Sequence, residues 1–133
     1  MRKKYMLVVV VILLFIIGGL VMRFKKNDTI SIEQQNNIVK RIARSYENID
    51  EINFLKFYQN KKTGSYGINF ILNNDKTLSS GISFRMYDDL NKSEGFVGLN
   101  PVSVFGESNP NNNPSDLEID ISQIKIVYLK ESR

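Results

Sequence analysis

The chain contains no cysteine, no histidine and no tryptophan. Without cysteine there is no disulfide, no thiolate nucleophile, no thiolate metal site and no sulfur to carry a lipid. Without histidine the commonest general base and the commonest transition-metal ligand are both missing, and a Ser-His-Asp triad cannot form. No serine sits in a G-x-S-x-G elbow, and neither a G-x-G-x-x-G loop nor a P-loop is present. No catalytic residue, no cofactor-binding residue and no metal ligand is therefore assigned, and the protein is read as a non-enzyme that needs no cofactor. Alanine is nearly absent too, with Ala43 the single copy.

Against those absences stands one long apolar run. Residues 6–22, MLVVVVILLFIIGGLVM, are 17 residues without a charge. At 1.5 Å per residue the run is about 25 Å long as a helix, near the lower limit for a hydrocarbon core of about 30 Å. Tyr5 suits the headgroup interface, and Arg23 can carry its guanidinium outward along an apolar stem. A cleaved signal would end in a small-x-small site, but Gly18 and Gly19 are followed by Leu20, Val21 and Met22, and Ala43 is far downstream. The expectation is a retained single-pass anchor (residues 1–26), with a separate domain (residues 27–133) beyond it. A short basic tail followed directly by the apolar run has the layout of a signal anchor, which puts the C-terminal domain outside the membrane. The charge count does not fix that orientation, because three basic side chains lie on each side. The Gly pair makes no GxxxG motif, so no transmembrane dimer is inferred.

The charge balance excludes another class of partner. The net charge is +4, yet six of the 18 Lys and Arg flank the apolar run, which leaves 12 against 14 Asp and Glu from Asn27 onward. The basic character belongs to the membrane flanks, and no phosphate-tracking stripe exists, so no nucleic-acid partner is expected.

Beyond the anchor, Ser31 followed by Gln34 matches a capping box. Ile32, Ile38, Val39, Ile42, Tyr46 and Ile49 then recur at helical spacing, which predicts an amphipathic helix over about 32–47, with Lys40, Arg41, Arg44 and Glu47 on its other faces. INFLKFYQN from Ile52 and YGINFIL at 66–72 read as strands, separated by the turn chemistry of KKTGS at 61–65. Asn73-Asn74-Asp75-Lys76 is a hairpin signal, because Asn and Asp tolerate positive φ. The next strand places Leu78, Ile82, Phe84 and Met86 on one face. Val102 to Phe105 is read as another short strand, ESNPNNNPSD at 107–116 as a loop without core residues, and 117–129 as a last strand with a bulge or break near Ser122. The fold expected is α+β, with the helix packed across one face of an antiparallel sheet of four to five strands.

Two acidic patterns invite chemistry. Asp88-Asp89-Leu90-Asn91-Lys92-Ser93-Glu94-Gly95 has the alternation of a calcium loop, but its Gly falls one place late and its twelfth position is Asn100 rather than Glu. A polar turn is the reading adopted. Asp116, Glu118 and Asp120 alternate with Leu117, Ile119 and Ile121, so on a strand all three carboxylates would share a face. That strip is the candidate partner-binding site, with a solvated or guarded edge strand as its bland alternative.

Residues 49–84, IDEINFLKFYQNKKTGSYGINFILNNDKTLSSGISF, look familiar in combination with the span at 6–22. With Gly64 and Gly67 around the turn and Asn73 to Lys76 before Leu78, they resemble small single-pass membrane-anchored proteins of unknown function from Firmicutes. The resemblance implies a basic start, a single span, a helix, then two strands and an N-N-D-K type hairpin. It implies no catalytic residues.

The functional expectation is a membrane-anchored, extracytoplasmic protein-binding module of a bacterial cytoplasmic membrane, with a toxin-immunity protein as one version. Its expected partners are the lipid bilayer and another protein. The alternatives are an accessory subunit of a membrane complex acting through its span, and a surface hydrolase using carboxylates.

Overall fold

The computed structural model describes residues 29–130, so the apolar run with Tyr5 and Arg23 lies outside the described residues. Among the described residues no helix is long and apolar enough to cross a membrane. The fold is α+β: one helix packs on a four-stranded mixed sheet.

Helix α1 (Ile32–Ser45) starts where the capping box places it. The Gln34 N–H donates to Ser31 Oγ at 3.0 Å, and the Ser31 N–H donates to Gln34 Oε1 at 2.9 Å. Two of the N–H groups orphaned at a helix start are thereby satisfied, a motif worth about 1 kcal/mol. The helix ends two residues earlier than its periodicity suggests, because Tyr46 turns to extended backbone while its N–H still reaches Ile42 O at 2.9 Å. Its apolar stripe, Ile38, Val39, Ile42 and Tyr46, enters the core.

The sheet runs in the order β3-β2-β1-β4, built from β1 (Glu51–Gln59), β2 (Tyr66–Leu72), β3 (Ser79–Phe84) and β4 (Lys125–Val127). Both hairpins form. In the first, Gly64 N donates to Asn60 O and Asn60 N to Ser65 O. In the second, Asn73 and Asn74 both adopt φ of +52°. The register pairs Phe54 with Phe70 and then Lys56 with Asn69, so Leu55 is the extra residue of a bulge. That bulge inverts the facing of the rest of β1. Ile52 and Phe54 point into the core, and after the extra residue Phe57 does so too, stacking on Tyr66 at 5.9 Å. Phe54 meets Phe70 edge-to-face at 6.2 Å.

Three expectations are corrected. The sheet is mixed rather than antiparallel, because β4 pairs in parallel with β1 (Glu51 opposite Lys125, Asn53 opposite Val127). A parallel neighbour needs a long crossover, here residues 85–124, and turn chemistry reports only adjacent hairpins. Residues 102–105 form a one-turn helix, α2 (Val102–Phe105), between Pro101 and Gly106, the latter at φ +80°. Proline before and glycine after is the asymmetry of a short helix rather than a strand. Residues 117–129 are strand only at Lys125–Val127. The Asp120 carboxylate accepts from the Ser122 N–H at 2.9 Å and Ile124 N–H reaches Ile121 O at 3.0 Å, so local turns replace the ladder. In addition, Met86 is 64% exposed, because β3 ends at Phe84 before its phase reaches residue 86.

Candidate partner-binding surface

The crossover from β3 to β4 is held to α1 by polar side chains that the helical periodicity leaves outside the apolar stripe. Arg44 is 4% exposed. Its Nε and Nη2 donate to Leu117 O at 3.0 and 2.7 Å, and its Nη1 donates to Ser93 O at 2.7 Å and Gly95 O at 2.9 Å. The guanidinium fork thus knots together three points of an irregular segment through carbonyl dipoles. Gln35, fully buried, accepts from the Leu129 N–H at 2.7 Å and donates to Leu129 O at 2.9 Å, standing in for a neighbouring strand. Ser45 Oγ accepts from the Val97 N–H, the Tyr46 hydroxyl oxygen accepts from the Leu99 N–H, and Asn37 donates to Leu90 O. The asparagine-rich loop has a task as well. Asn109 N–H donates to Ser45 O and Asn113 Nδ2 to Arg44 O, so the loop caps carbonyls at the end of α1.

This scaffold decides where the predicted acidic residues go. Asp116, Glu118 and Asp120 are all exposed, but they lie in turns and irregular chain before β4, not on a strand. Asp120 lines a surface groove of about 600 Å³ with Arg44, Glu47 and Asn111, whereas Asp116 and Glu118 do not line it. The backbone N–H and hydroxyl of Ser122 hold the Asp120 carboxyl below the usual aspartate range. The shared face expected of the three carboxylates is absent, because Leu117 O is already taken by Arg44 and Leu117 N–H by Pro114 O.

The calcium-like stretch forms a 3-10 turn, Tyr87–Asn91. Its carboxylates have internal partners: Asp88 accepts from Asn91 Nδ2 at 3.0 Å, and Asp89 accepts from the Met86 N–H and faces Lys92 Nζ at 3.6 Å. Among the described residues no group of three carboxylates is placed to hold a metal ion.

Two surfaces remain open. The first is the outer face of the sheet, opposite α1. Leu55 is 49%, Tyr58 41% and Val127 40% exposed there, with Lys56 Nζ lying 5.8 Å from the Tyr58 ring centroid. Tyr58 lies over Gly67, where a Cβ would come within 2.4 Å of Tyr58 Cζ, so glycine is what lets the ring lie flat on β2. The second is a groove of about 580 Å³ along the outer side of β3, between Gly81–Arg85 and the Phe96–Asn100 stretch, with Arg41, Asp89 and Lys92 in its walls. The alternation from Leu78 to Met86 predicts a strand, but nothing local shows that it is an edge. That follows only from the placement of β4 beside β1.

No family model, no curated protein and no solved structure matches the chain.

Proposed function

We propose that the chain is a non-enzymatic protein-binding module, held on the outer face of a bacterial cytoplasmic membrane by the apolar segment at residues 6–22. In its most concrete version it is an immunity protein that intercepts a toxin arriving from outside. The observation that carries the binding role is the sheet itself: α1 covers one face, and the other offers Leu55, Tyr58 and Val127 to solvent beside an open edge strand. Apolar side chains grouped on one face of paired strands and rimmed by polar ones have the anatomy of an interaction surface. The absence of cysteine and histidine turns the reading away from common enzyme chemistry. The likeness of residues 49–84 and the span to small anchored Firmicute proteins agrees with the tether, and the immunity version is analogy of architecture.

The test is photo-crosslinking in intact cells from positions 55 and 58 of the full-length chain. A specific protein adduct at these positions, together with altered toxin sensitivity on deletion, is the expected result. No adduct and no change in sensitivity would end the reading. Carbonate washing and protease treatment of protoplasts test the tether. The protein should stay with membranes, and its domain should be cut.

A second reading, an accessory subunit that works through its span, is favoured by the same uncharged 17-residue run. Exchanging residues 5–24 for an unrelated span separates the two: loss of function points to the subunit, and retention points to the module.

A further inference from the structure

Most sheet edges in natural proteins are guarded by proline, by an inward charge, by a bulge or by covering chain. The two edges of this sheet differ in that respect. β4 is three residues long, and the chain that follows it is tied to α1 through Gln35–Leu129 and a Tyr128 hydroxyl donating to Asn36 at 2.6 Å. β3 is six residues, SSGISF, without proline, charge or bulge. It pairs with β2 over its whole length, from Ile71 opposite Ser79 to Tyr66 opposite Phe84. Among the described residues no backbone hydrogen bond reaches its other side, and the loop beside it touches it through a side chain, Ser80 Oγ donating to Asn100 O at 3.4 Å.

The groove next to that edge is basic. Arg41, Arg85 and Lys92 line it against the single carboxylate of Asp89, which is already engaged by Lys92. Asp89 and, more weakly, Glu94 lie close enough to Arg41 to attract it, and Arg44 close enough to repel it. Arg41 is the residue left wanting. Its guanidinium lies 5.7 Å from the Phe84 ring centroid, its Nη2 makes one long bond to Asp89 O at 3.4 Å, and its buried Nε has no partner. Burial, more than the two nearby carboxylates offset, lowers its pKa from the ordinary arginine value. A buried donor without an acceptor is a standing cost that an incoming carboxylate would remove.

We infer that the free edge of β3 takes an extended, acidic segment of the partner protein as a fifth strand, with a carboxylate of that segment received by Arg41 and flanked by Arg85 and Lys92. The inference rests on the protein-binding reading and names the chemistry of the partner. Six residues of β3 span about 20 Å, enough for a strand of similar length to exchange main-chain hydrogen bonds. Charge chooses the segment and the backbone holds it.

The probe is a synthetic peptide of about seven residues alternating valine and glutamate, measured against the full-length chain in detergent micelles by fluorescence anisotropy and amide exchange. Two control peptides accompany it, one with lysine in place of glutamate and one with the glutamates kept but alternate backbone nitrogens methylated. The acidic peptide should bind and slow amide exchange within residues 79–84, and each control should bind at least about tenfold more weakly. Arg41→Gln should weaken the acidic peptide by about tenfold or more. The exposed pair Arg85→Gln and Lys92→Gln gives a second reading that does not depend on how Arg41 supports the fold, and should weaken binding in the same direction. Equal binding of the methylated peptide, or unchanged affinity in the Arg85/Lys92 double variant, would overturn the inference. A chain that crosslinks its partner protein from positions 55 and 58 yet ignores the acidic peptide would also overturn it, and would leave the module reading intact.

Discussion

Replacing Arg44 by methionine keeps most of the side chain's length and removes its five donors. In the native structure the guanidinium makes four hydrogen bonds to three carbonyls, those of Ser93, Gly95 and Leu117. Each bond from a charged donor contributes roughly 1.5–3 kcal/mol, but burying the ion offsets part of that sum. The net loss is set by the acceptors left behind, at about 1–3 kcal/mol for each carbonyl left without a partner, Ser93 and Gly95 being half-buried and Leu117 exposed enough for water to replace its bonds. Water reaching one of the three leaves two, so the expected destabilisation of Arg44→Met is about 2–6 kcal/mol. With a urea m-value of about 1.5 kcal/mol/M, the midpoint should fall by roughly 1–4 M, a large part of the stability of a domain this size. The loss should also be regional. The N–H groups of Gly95, Val97 and Leu99, bonded to Ser115 O, Ser45 Oγ and the Tyr46 hydroxyl, should lose exchange protection before those of β1 and β2. Arg44→Lys keeps the charge without the fork and should fall between the two. Urea titration and amide exchange on the full-length chain are the assays. A loss under about 1 kcal/mol, or an even loss of protection across the sheet, would refute the idea that one guanidinium organises the crossover.

Three further expectations concern the sheet. Gly67→Ala pushes a methyl into the Tyr58 ring, which must swing away from β2, so a loss of about 1–2 kcal/mol is expected, and Tyr58→Ala in the same chain should recover most of it in a double-mutant cycle. Asn73 accepts from the N–H groups of Asp50 and Glu51 at 2.7 and 3.2 Å, donates to Asn48 O at 2.9 Å, and holds φ of +52°. Asn73→Ala should therefore cost about 1–2 kcal/mol by thermal or urea unfolding, while Asn74→Gly, at the same φ and equally exposed but without those side-chain bonds, should be neutral or slightly stabilising. The Thr77 hydroxyl and N–H both donate to Asp75, at 2.6 and 2.9 Å, and hold its carboxyl below the usual aspartate range. Because the folded pKa is depressed, this contribution is present above the unfolded value near 3.8 and is lost as the pH falls through the folded value. In a carboxyl-carbon NMR titration Asp75 should titrate below free aspartate, and Thr77→Val should raise it.

Local structure was legible from order alone wherever a single turn of chain carries its own reason. The capping box at Ser31 and Gln34 satisfies its backbone groups within three residues, the apolar stripe of α1 repeats every turn, and the positive φ of Asn73 and Asn74 is a local tolerance of asparagine. The apolar run at 6–22 is likewise a property of sequence, outside the described residues. The roles of Arg44 and Gln35 were not legible. Periodicity places a polar side chain off the apolar stripe, yet cannot say whether water or another stretch of chain will meet it there. In this protein the crossover at residues 85–124 meets Arg44 and the chain after β4 meets Gln35, so part of the polar surface of α1 is as buried as the apolar stripe. The same crossover brings β4 beside β1, leaves β3 at the edge and scatters Asp116, Glu118 and Asp120 into turns. Hydrogen bonds between residues far apart in sequence made those choices, and the energies that rank them exist only once the chain has come together.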